Sequence, residues 1–394
     1  MAPGTTGPAD LTAAVVGLGF IGRVHVEALR RLGIRVSGVL GSSVERTIGP
    51  ARELGVGRIY SDLEAVCADQ TVDVVHIASP NRLHFEQARQ VIAAGKHVVC
   101  EKPLAMDVRQ AAELSRLAAS AGVVHAVNYN LRHYAQVIEA RERVAGIAEQ
   151  RLVTGSYRQD WLADPSDWNW RIDPHEGGPL RAVADIGSHL LDLTMFVTGR
   201  RITAVFADLA TFLPTRQRPR GRVETFAAAT GNTEEVRVDT EDAAVLLLQF
   251  DGGARGVLTI SQVSVGHRND VELEVTGADG SVAWRSLDNE RLWLGHRDAA
   301  NQLLDRDPAL IGTAAAQSAT LPAGHPEGFR DTFAALYRSV YARVADRSAQ
   351  IPAPYATFVD GHQQALLMDA VLASARSSRW VEVEAAETPE GEVK

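Results

Sequence analysis

The feature that most limits what this chain can fold into is the glycine turn Gly17-x-Gly19-x-x-Gly22. It lies between a short apolar run, residues 11–16, and a stretch, 24–32, whose apolar positions recur at helical spacing. That is strand, tight turn, helix. The alternation continues with strands expected over 35–40, 72–78, 96–100 and 123–128 and helices over 43–54, 83–94 and 108–121. Such alternation predicts the α/β class, with a parallel, doubly wound sheet. The unbroken apolar character of 72–78 suits a strand covered on both faces.

At 394 residues the chain exceeds the size at which one core stops growing, so two domains are expected. Beyond about Asn130 the rhythm changes. Segments 151–158, 202–211, 242–250, 254–265, 270–277 and 280–285 are extended and β-rich, with Asp251-Gly252-Gly253 and Ala278-Asp279-Gly280 as hairpin turns. They predict a second domain on a largely antiparallel sheet, followed by helices over 329–344 and 361–377. Residues 213–240 carry Arg216, Arg218, Arg220 and Arg222 among prolines and glycines. Without interleaved aromatics for base stacking, this stretch reads as a solvated loop and not as a nucleic-acid patch.

Composition narrows the partners. A hydrophobic share of 45% marks a globular chain, and a formal net charge of −9 argues against general affinity for nucleic acid or anionic membranes. A small neutral or cationic partner fits. Cys67 and Cys100 fall in segments that read as buried helix and strand, which suits a reduced compartment, so a cytoplasmic location is expected. Residues 1–10 lack the basic and apolar regions of a leader, and no run of about 18 apolar residues follows, so neither secretion nor a membrane span is expected. Residues 1–10 and 384–394 read as flexible tails. No metal is expected, since His84, His97, His125 and His189 are dispersed over separate elements.

The turn itself carries chemistry. Gly17 permits the bend, Gly19 lets the backbone approach a pyrophosphate, and Gly22 lets the helix pack on its strand. Amides at the helix start, around Phe20 and Ile21, then hold phosphate charge. An acidic residue about 20 positions on would take the ribose of NAD. This chain has Ser42, Ser43 and Arg46 there instead. They tolerate a 2′-phosphate, yet Ser43 serves equally well as a helix N-cap with Arg46 in solvent, so NAD and NADP both fit.

Glu101-Lys102-Pro103 follows the strand at 96–100, and ligands of open α/β sheets bind outside the carboxyl ends of strands. Farther on, Asp185 and His189 stand four residues apart in a glycine-rich approach to a helix, where they can face one side. A histidine suits removal of a hydroxyl proton near neutral pH, a carboxylate orients it, and a lysine ammonium favours a developing alkoxide. The alternative is a capping aspartate and a packed histidine.

Four motifs in order, Gly17-Leu18-Gly19-Phe20-Ile21-Gly22, Ser79-Pro80-Asn81-x-x-His84, Glu101-Lys102-Pro103 and Asp185-Ile186-Gly187-Ser188-His189, resemble the glucose-fructose oxidoreductase/inositol dehydrogenase family, Gfo/Idh/MocA, over about 11–383. The resemblance implies an NAD(P)-binding Rossmann domain over 11–130. It also implies a C-terminal α/β domain over 131–383 with a large, mostly antiparallel sheet, through which members form dimers or tetramers. It implies Lys102 as the catalytic lysine in front of a cis Pro103 bond, Asp185 as its acidic partner and His189 as the general acid/base. Ser79, Pro80, Asn81, His84, Glu101 and Asn130 would line the cofactor. Asn130-Leu131-Arg132 departs from the family's usual Asn-Tyr-Arg.

Within the family, Tyr157-Arg158-Gln159-Asp160-Trp161 with residues 168–171 is similar to the levoglucosan dehydrogenase-like branch, whose substrates are sugars or anhydrosugars. Trp161 would cover a sugar's C–H face, with Tyr157, Gln159, Asp160 and Arg171 as hydroxyl partners. Trp168 and Trp170 could instead pack a domain interface. The implied activity is hydride transfer between NAD(P) and a secondary alcohol of a sugar, anhydrosugar, glycoside or cyclitol. Two alternatives are an NAD-dependent glycosidase with transient oxidation and a catalytically silent cofactor sensor.

Overall fold

A computed structural model describes residues 8–220, 232–347 and 353–389. The chain forms two units: Met1–Asn130 with Phe329–Ala365 and Ala385–Lys394, and Leu131–Gly328 with Leu366–Glu384.

In the first unit five parallel strands, β1 (Thr12–Val16), β2 (Arg35–Leu40), β3 (Val74–Ile77), β4 (His97–Cys100) and β5 (His125–Val127), lie in the order β2-β1-β3-β4-β5. Every residue of β1 and β3 is buried, as unbroken apolar strands covered on both faces require. The order changes direction at β1 and β3, and such a switch opens the ligand crevice of a doubly wound sheet. The loops after β1, β3 and β4 therefore leave one carboxyl edge side by side. They carry Gly17, Ser79 and Lys102.

The helix expected around Cys67 forms at Leu63–Ala68, but it leaves Cys67 only half-buried. The chain's return was not expected: the Phe329–Ala345 helix buries Phe333, Leu336, Tyr337, Val340 and Tyr341 among β1 and first-helix residues such as Val15 and Leu29. The Phe358–Ser377 helix opens in this unit, with the Phe358 amide donating to His125 Nδ1 at 3.1 Å. The boundary expected near residue 130 thus omits a C-terminal contribution. Helical periodicity announces a helix but not which sheet it covers.

The second unit holds β6 (Gln150–Arg158), β7 (Ile202–Ala210), β8 (Thr215–Pro219), β9 (Thr233–Arg237), β10 (Ala243–Phe250), β11 (Arg255–Ser261), β12 (Asp270–Gly277), β13 (Gly280–Arg285), β14 (Arg291–His296), β15 (Gln302–Asp305) and β16 (Val381–Glu382). Nine of them form one sheet, β15-β14-β13-β12-β6-β11-β10-β7-β16, antiparallel except where β6 meets β11. The two expected hairpin turns join β10 to β11 and β12 to β13, and Gly252 and Gly253 take φ of 80° and 94°. Along β10, buried Ala244, Leu246, Leu248 and Phe250 alternate with outward residues, which include exposed Val245 and Leu247. One face of the sheet thus packs on the helices Ala135–Ala145 and Ser188–Thr198, and the other is more open.

Two expectations need correction. The supposed solvated loop at 213–240 contains the β8–β9 hairpin, and Arg216 in it is wholly buried, donating to the Leu162, Asp164 and Asp167 carbonyls and to Asp242. A guanidinium can be buried when its fork of donors is matched in this way. Arg222 lies outside the described residues. The supposed C-terminal tail is also held where it is described: Ala386 is buried and its amide donates to Gln363 at 2.9 Å. Residues 8–10 form one short helical turn, and 1–7 and 390–394 lie outside the described residues. Among the described residues, no helix is long and apolar enough to cross a membrane.

Candidate active site

Two of the three glycines are forced by the fold. Gly17 has φ of 94°, and a Cβ there would sit 2.3 Å from the Ala78 carbonyl oxygen; one at Gly22 would sit 1.9 Å from that of Gly17. A Cβ at Gly19, by contrast, would meet no protein atom within 4 Å. Packing within the protein does not explain that glycine, and the space beside it is open to a ligand. Phe20 and Ile21 open the Phe20–Arg31 helix beside it, with their amides at its start. At the end of β2, Ser43 caps the Val44–Glu53 helix by accepting the Arg46 amide at 3.3 Å, while Ser42 and the Arg46 side chain are exposed.

After β3, Ser79 Oγ donates to Gln87 at 2.6 Å, Pro80 is exposed and Asn81 is buried. His84 is 1% exposed. Its Nδ1 lies 2.7 Å from the Pro103 carbonyl and its Nε2 2.8 Å from that of Ser79, so the ring ties the loop after β3 to the loop after β4. No ring nitrogen is left over for a ligand. Burial draws the imidazole below its ordinary pKa, opposed by the two carbonyls. Asn130 is likewise engaged, its Nδ2 donating to Thr332 at 2.8 Å.

Lys102, half-buried, follows β4, and its bond to Pro103 is cis. Glu101 beside it is buried. One carboxylate oxygen faces His25 Nε2 at 3.0 Å and accepts from Asn128 Nδ2; the other takes the Lys102 amide at 3.3 Å. Burial would raise the Glu101 pKa, but His25, the Lys102 charge and Asn128 together hold it below the usual carboxylate value.

In the second unit, Asp185 sits in a wide π-turn, Val183–Gly187, that runs into the Ser188–Thr198 helix bearing His189. Such π-bulges are frequent at functional sites. The turn is anchored at its start, where Glu241 accepts the Arg181 and Val183 amides at 2.9 Å. Gly187 lets it lie against β11, since a Cβ there would be 2.8 Å from Ile260. Asp185 and His189 keep partial exposure while Val183, Ile186 and Ser188 are buried. The Asp185 carboxylate takes Arg171 Nε at 3.0 Å and Gln262 Nε2 at 2.9 Å. Arg171 therefore meets the catalytic candidate directly.

The neighbouring segment is held by the loop before β12. Asn269, at φ 58°, accepts from the Tyr157 hydroxyl and from Gln159 Nε2, and Gln159 accepts the Trp161 indole N–H at 2.7 Å. Asp160 takes the Gly266 amide at 3.1 Å. Tyr157 is buried, and burial with the nearby Asp185 charge pushes its phenol well above the ordinary pKa. Trp168 packs with Leu162, Ile172 and Val238, and the Arg171 guanidinium lies 4.3 Å over the Trp170 ring. Among the described residues, no three His, Cys, Asp or Glu side chains group as a metal site would need.

Sequence reasoning missed several supporting residues: His25, His76, Asn128, Gln262 and Asn269. His25 and His76 each interrupt an apolar stretch, Val24-His25-Val26 and Val75-His76-Ile77, and a polar group inside such a run needs a partner. Gln262 and Asn269 gave no comparable signal.

Two family descriptions match the chain: "Oxidoreductase family, NAD-binding Rossmann fold" over residues 11–129 and "GFO/IDH/MocA C-terminal domain" over residues 137–283. Levoglucosan dehydrogenase of Pseudarthrobacter phenanthrenivorans is 28% identical, the match covering 95% of this chain and 98% of the relative. Myo-inositol 2-dehydrogenase of Thermotoga maritima is 27% identical over 68% of this chain and 73% of its own. A solved structure of levoglucosan dehydrogenase in complex with NADH and L-sorbose is similar at a TM-score of 0.84 and 26% identity, covering 95% of this chain and 99% of that one.

Proposed function

Because the chain belongs to the Gfo/Idh/MocA oxidoreductase family, we propose that it is an NAD-dependent dehydrogenase that oxidises one secondary hydroxyl of a sugar, anhydrosugar, glycoside or cyclitol. The observation that carries this reading is the strand order β2-β1-β3-β4-β5, by which the glycine turn, Ser79 and Lys102 leave one sheet edge together. Gly17, Gly19 and Gly22 with the amides of Phe20 and Ile21 would hold the pyrophosphate, and the loops from Ser79 and Glu101 would hold the ribose and nicotinamide end. NAD supplies the hydride acceptor at that end.

In this reading the chain's own groups handle the proton. Lys102 donates to the substrate oxygen and favours its negative charge as the hydroxyl proton leaves. His189 takes that proton, and Asp185, oriented by Arg171 and Gln262, stabilises the charged imidazole. The reading requires Lys102 and His189 to act on one oxygen. Tyr157, Gln159, Asp160 and Trp161 supply the hydroxyl partners and the flat apolar face that a carbohydrate ring needs. The more open sheet face, with exposed Leu152, Val245 and Leu247, suits pairing with a second copy of the chain.

The test is an absorbance screen at the reduced-nicotinamide band, crossing NAD and NADP with free sugars, anhydrosugars, glycosides and inositols. Net cofactor reduction with at least one of them supports the proposal. Glycosidic cleavage without net reduction would replace it with the glycosidase reading.

A further inference from the structure

Behind the Glu101-Lys102-Pro103 turn runs a row of buried polar groups that the proposed chemistry does not use. Glu101 faces His25 Nε2 at 3.0 Å, His25 Nδ1 faces His76 Nδ1 at 3.0 Å, and His76 Nε2 faces the Tyr341 hydroxyl at 3.1 Å. His25, His76 and Tyr341 are all 0% exposed. They come from three separate elements: the helix after the glycine turn, β3, and the Phe329–Ala345 helix.

Donor and acceptor rules limit the proton positions in this row. Burial and the neighbouring His25 hold His76 well below its ordinary pKa, so it is neutral and carries one N–H. Burial and the Asp73 charge hold Tyr341 protonated. An ionised Glu101 accepts from His25 Nε2, so that link has one direction; the two farther links, between the histidine Nδ1 atoms and between His76 Nε2 and the Tyr341 hydroxyl, can run either way, since a hydroxyl both donates and accepts.

We propose that His25, His76 and Tyr341 are positioning residues for Lys102: their hydrogen-bonded row holds the Glu101 carboxylate in place, and Glu101 in turn holds the backbone of the lysine through its amide. This rests on the reading of Lys102 given above. Losing the Tyr341 hydroxyl removes the partner of His76 Nε2 and loosens the row that holds the His25 donor against Glu101, and a weaker donor favours uptake of a proton by the carboxylate. The other titratable groups that influence Glu101 are Cys100, Lys102, His84 and Tyr337, and none of them replaces that donor.

The experiment is the pH dependence of kcat for the full-length protein and for Tyr341→Phe and His25→Leu, with NAD dissociation constants and unfolding midpoints measured alongside. Tyr341→Phe keeps the ring that stacks on His76, so it holds the test open if His25→Leu fails to fold. The expected result is an acid limb moved to higher pH in both variants. His25→Leu should also lose about tenfold in kcat at neutral pH, the scale of one lost hydrogen bond to a charged group. NAD affinity should stay within about twofold, since positioning acts on turnover and not on uniform binding. An unmoved acid limb in Tyr341→Phe, or losses of kcat matched by equal losses of NAD affinity, overturns the proposal. Lys102→Ala is run in parallel. Near-normal turnover there defeats the reading of Lys102 itself, whereas an inactive Lys102→Ala beside an unchanged Tyr341→Phe defeats only the hydrogen-bond chain.

Discussion

The two units place polar groups in their interiors by different chemistry. Behind the glycine turn the first unit buries imidazoles: His25, His76, His84 and His125 are all nearly inaccessible. Around its π-turn the second unit buries permanent charges, with Arg181 and Arg216 sharing the carboxylate of Asp242 and none of the three side chains exposed. Neutral imidazoles can donate and accept along a row, whereas guanidinium–carboxylate clusters fix loops rigidly but need every partner present. The first arrangement should therefore fail by taking up protons, and the second by losing a member.

The largest effect should come from breaking the clamp. Asp242→Ala leaves two buried guanidinium groups uncompensated and should cost about 3–5 kcal/mol. All six tryptophans belong to the second unit, so their fluorescence reports its unfolding; an unchanged fluorescence midpoint would mean that the cluster does not hold the unit together.

Gly22→Ala places a Cβ onto the Gly17 carbonyl and should weaken NAD binding by roughly 100-fold, the scale of about 1–3 kcal/mol of overpacking at the phosphate turn. Tryptophan fluorescence of the second unit should barely change. Calorimetric titration with NAD checks the first statement, and wild-type affinity would remove the turn from the cofactor site.

Acid should separate the units more gently. Burial lowers the pKa of His76, His84, His362 and His97, the last to about 4. Between the ordinary histidine value of about 6.5 and these folded values, the unfolded chain binds protons that the folded one refuses, so the first unit loses stability as pH falls through that window. In the second unit Asp242 and Asp270 are held below their ordinary value despite burial, by Arg181 and Arg285 among others, and their contribution is lost only below about pH 4. Buried Glu241, raised by desolvation, works in the opposite direction as acid is added. Between pH 7 and 5 the transition that NAD protects should drop by roughly 5–10 °C while the tryptophan transition moves less. Equal shifts would erase the distinction. The smallest effect is Ser43→Ala, a lost helix cap of about 1 kcal/mol confined to the first unit.

The alternation of apolar runs and helical periods made the five-stranded sheet legible, because parallel strands buried on both faces leave an unmistakable pattern. The same physics hid other features. A buried arginine such as Arg216 has the composition of a solvated loop, and only its partners, distant in sequence, reveal otherwise. His25 and His76 sat in plain view inside apolar stretches, but their connection to Glu101 depends on three elements converging. In the second unit Asp185 and His189 stood out in the sequence four residues apart, while the π-turn that carries Asp185 and its contacts with Arg171 and Gln262 did not. Tertiary pairing, unlike periodicity, leaves no local trace.

The account's central claim is that Lys102 and His189 carry the chemistry and the glycine turn carries the cofactor. It is tested most directly by measuring kcat and the NAD dissociation constant for Lys102→Ala and His189→Ala with a substrate found in the absorbance screen. Each variant should lose at least about 10²–10⁴-fold in kcat while binding NAD as the unaltered protein does. Near-normal turnover in either variant would contradict the claim.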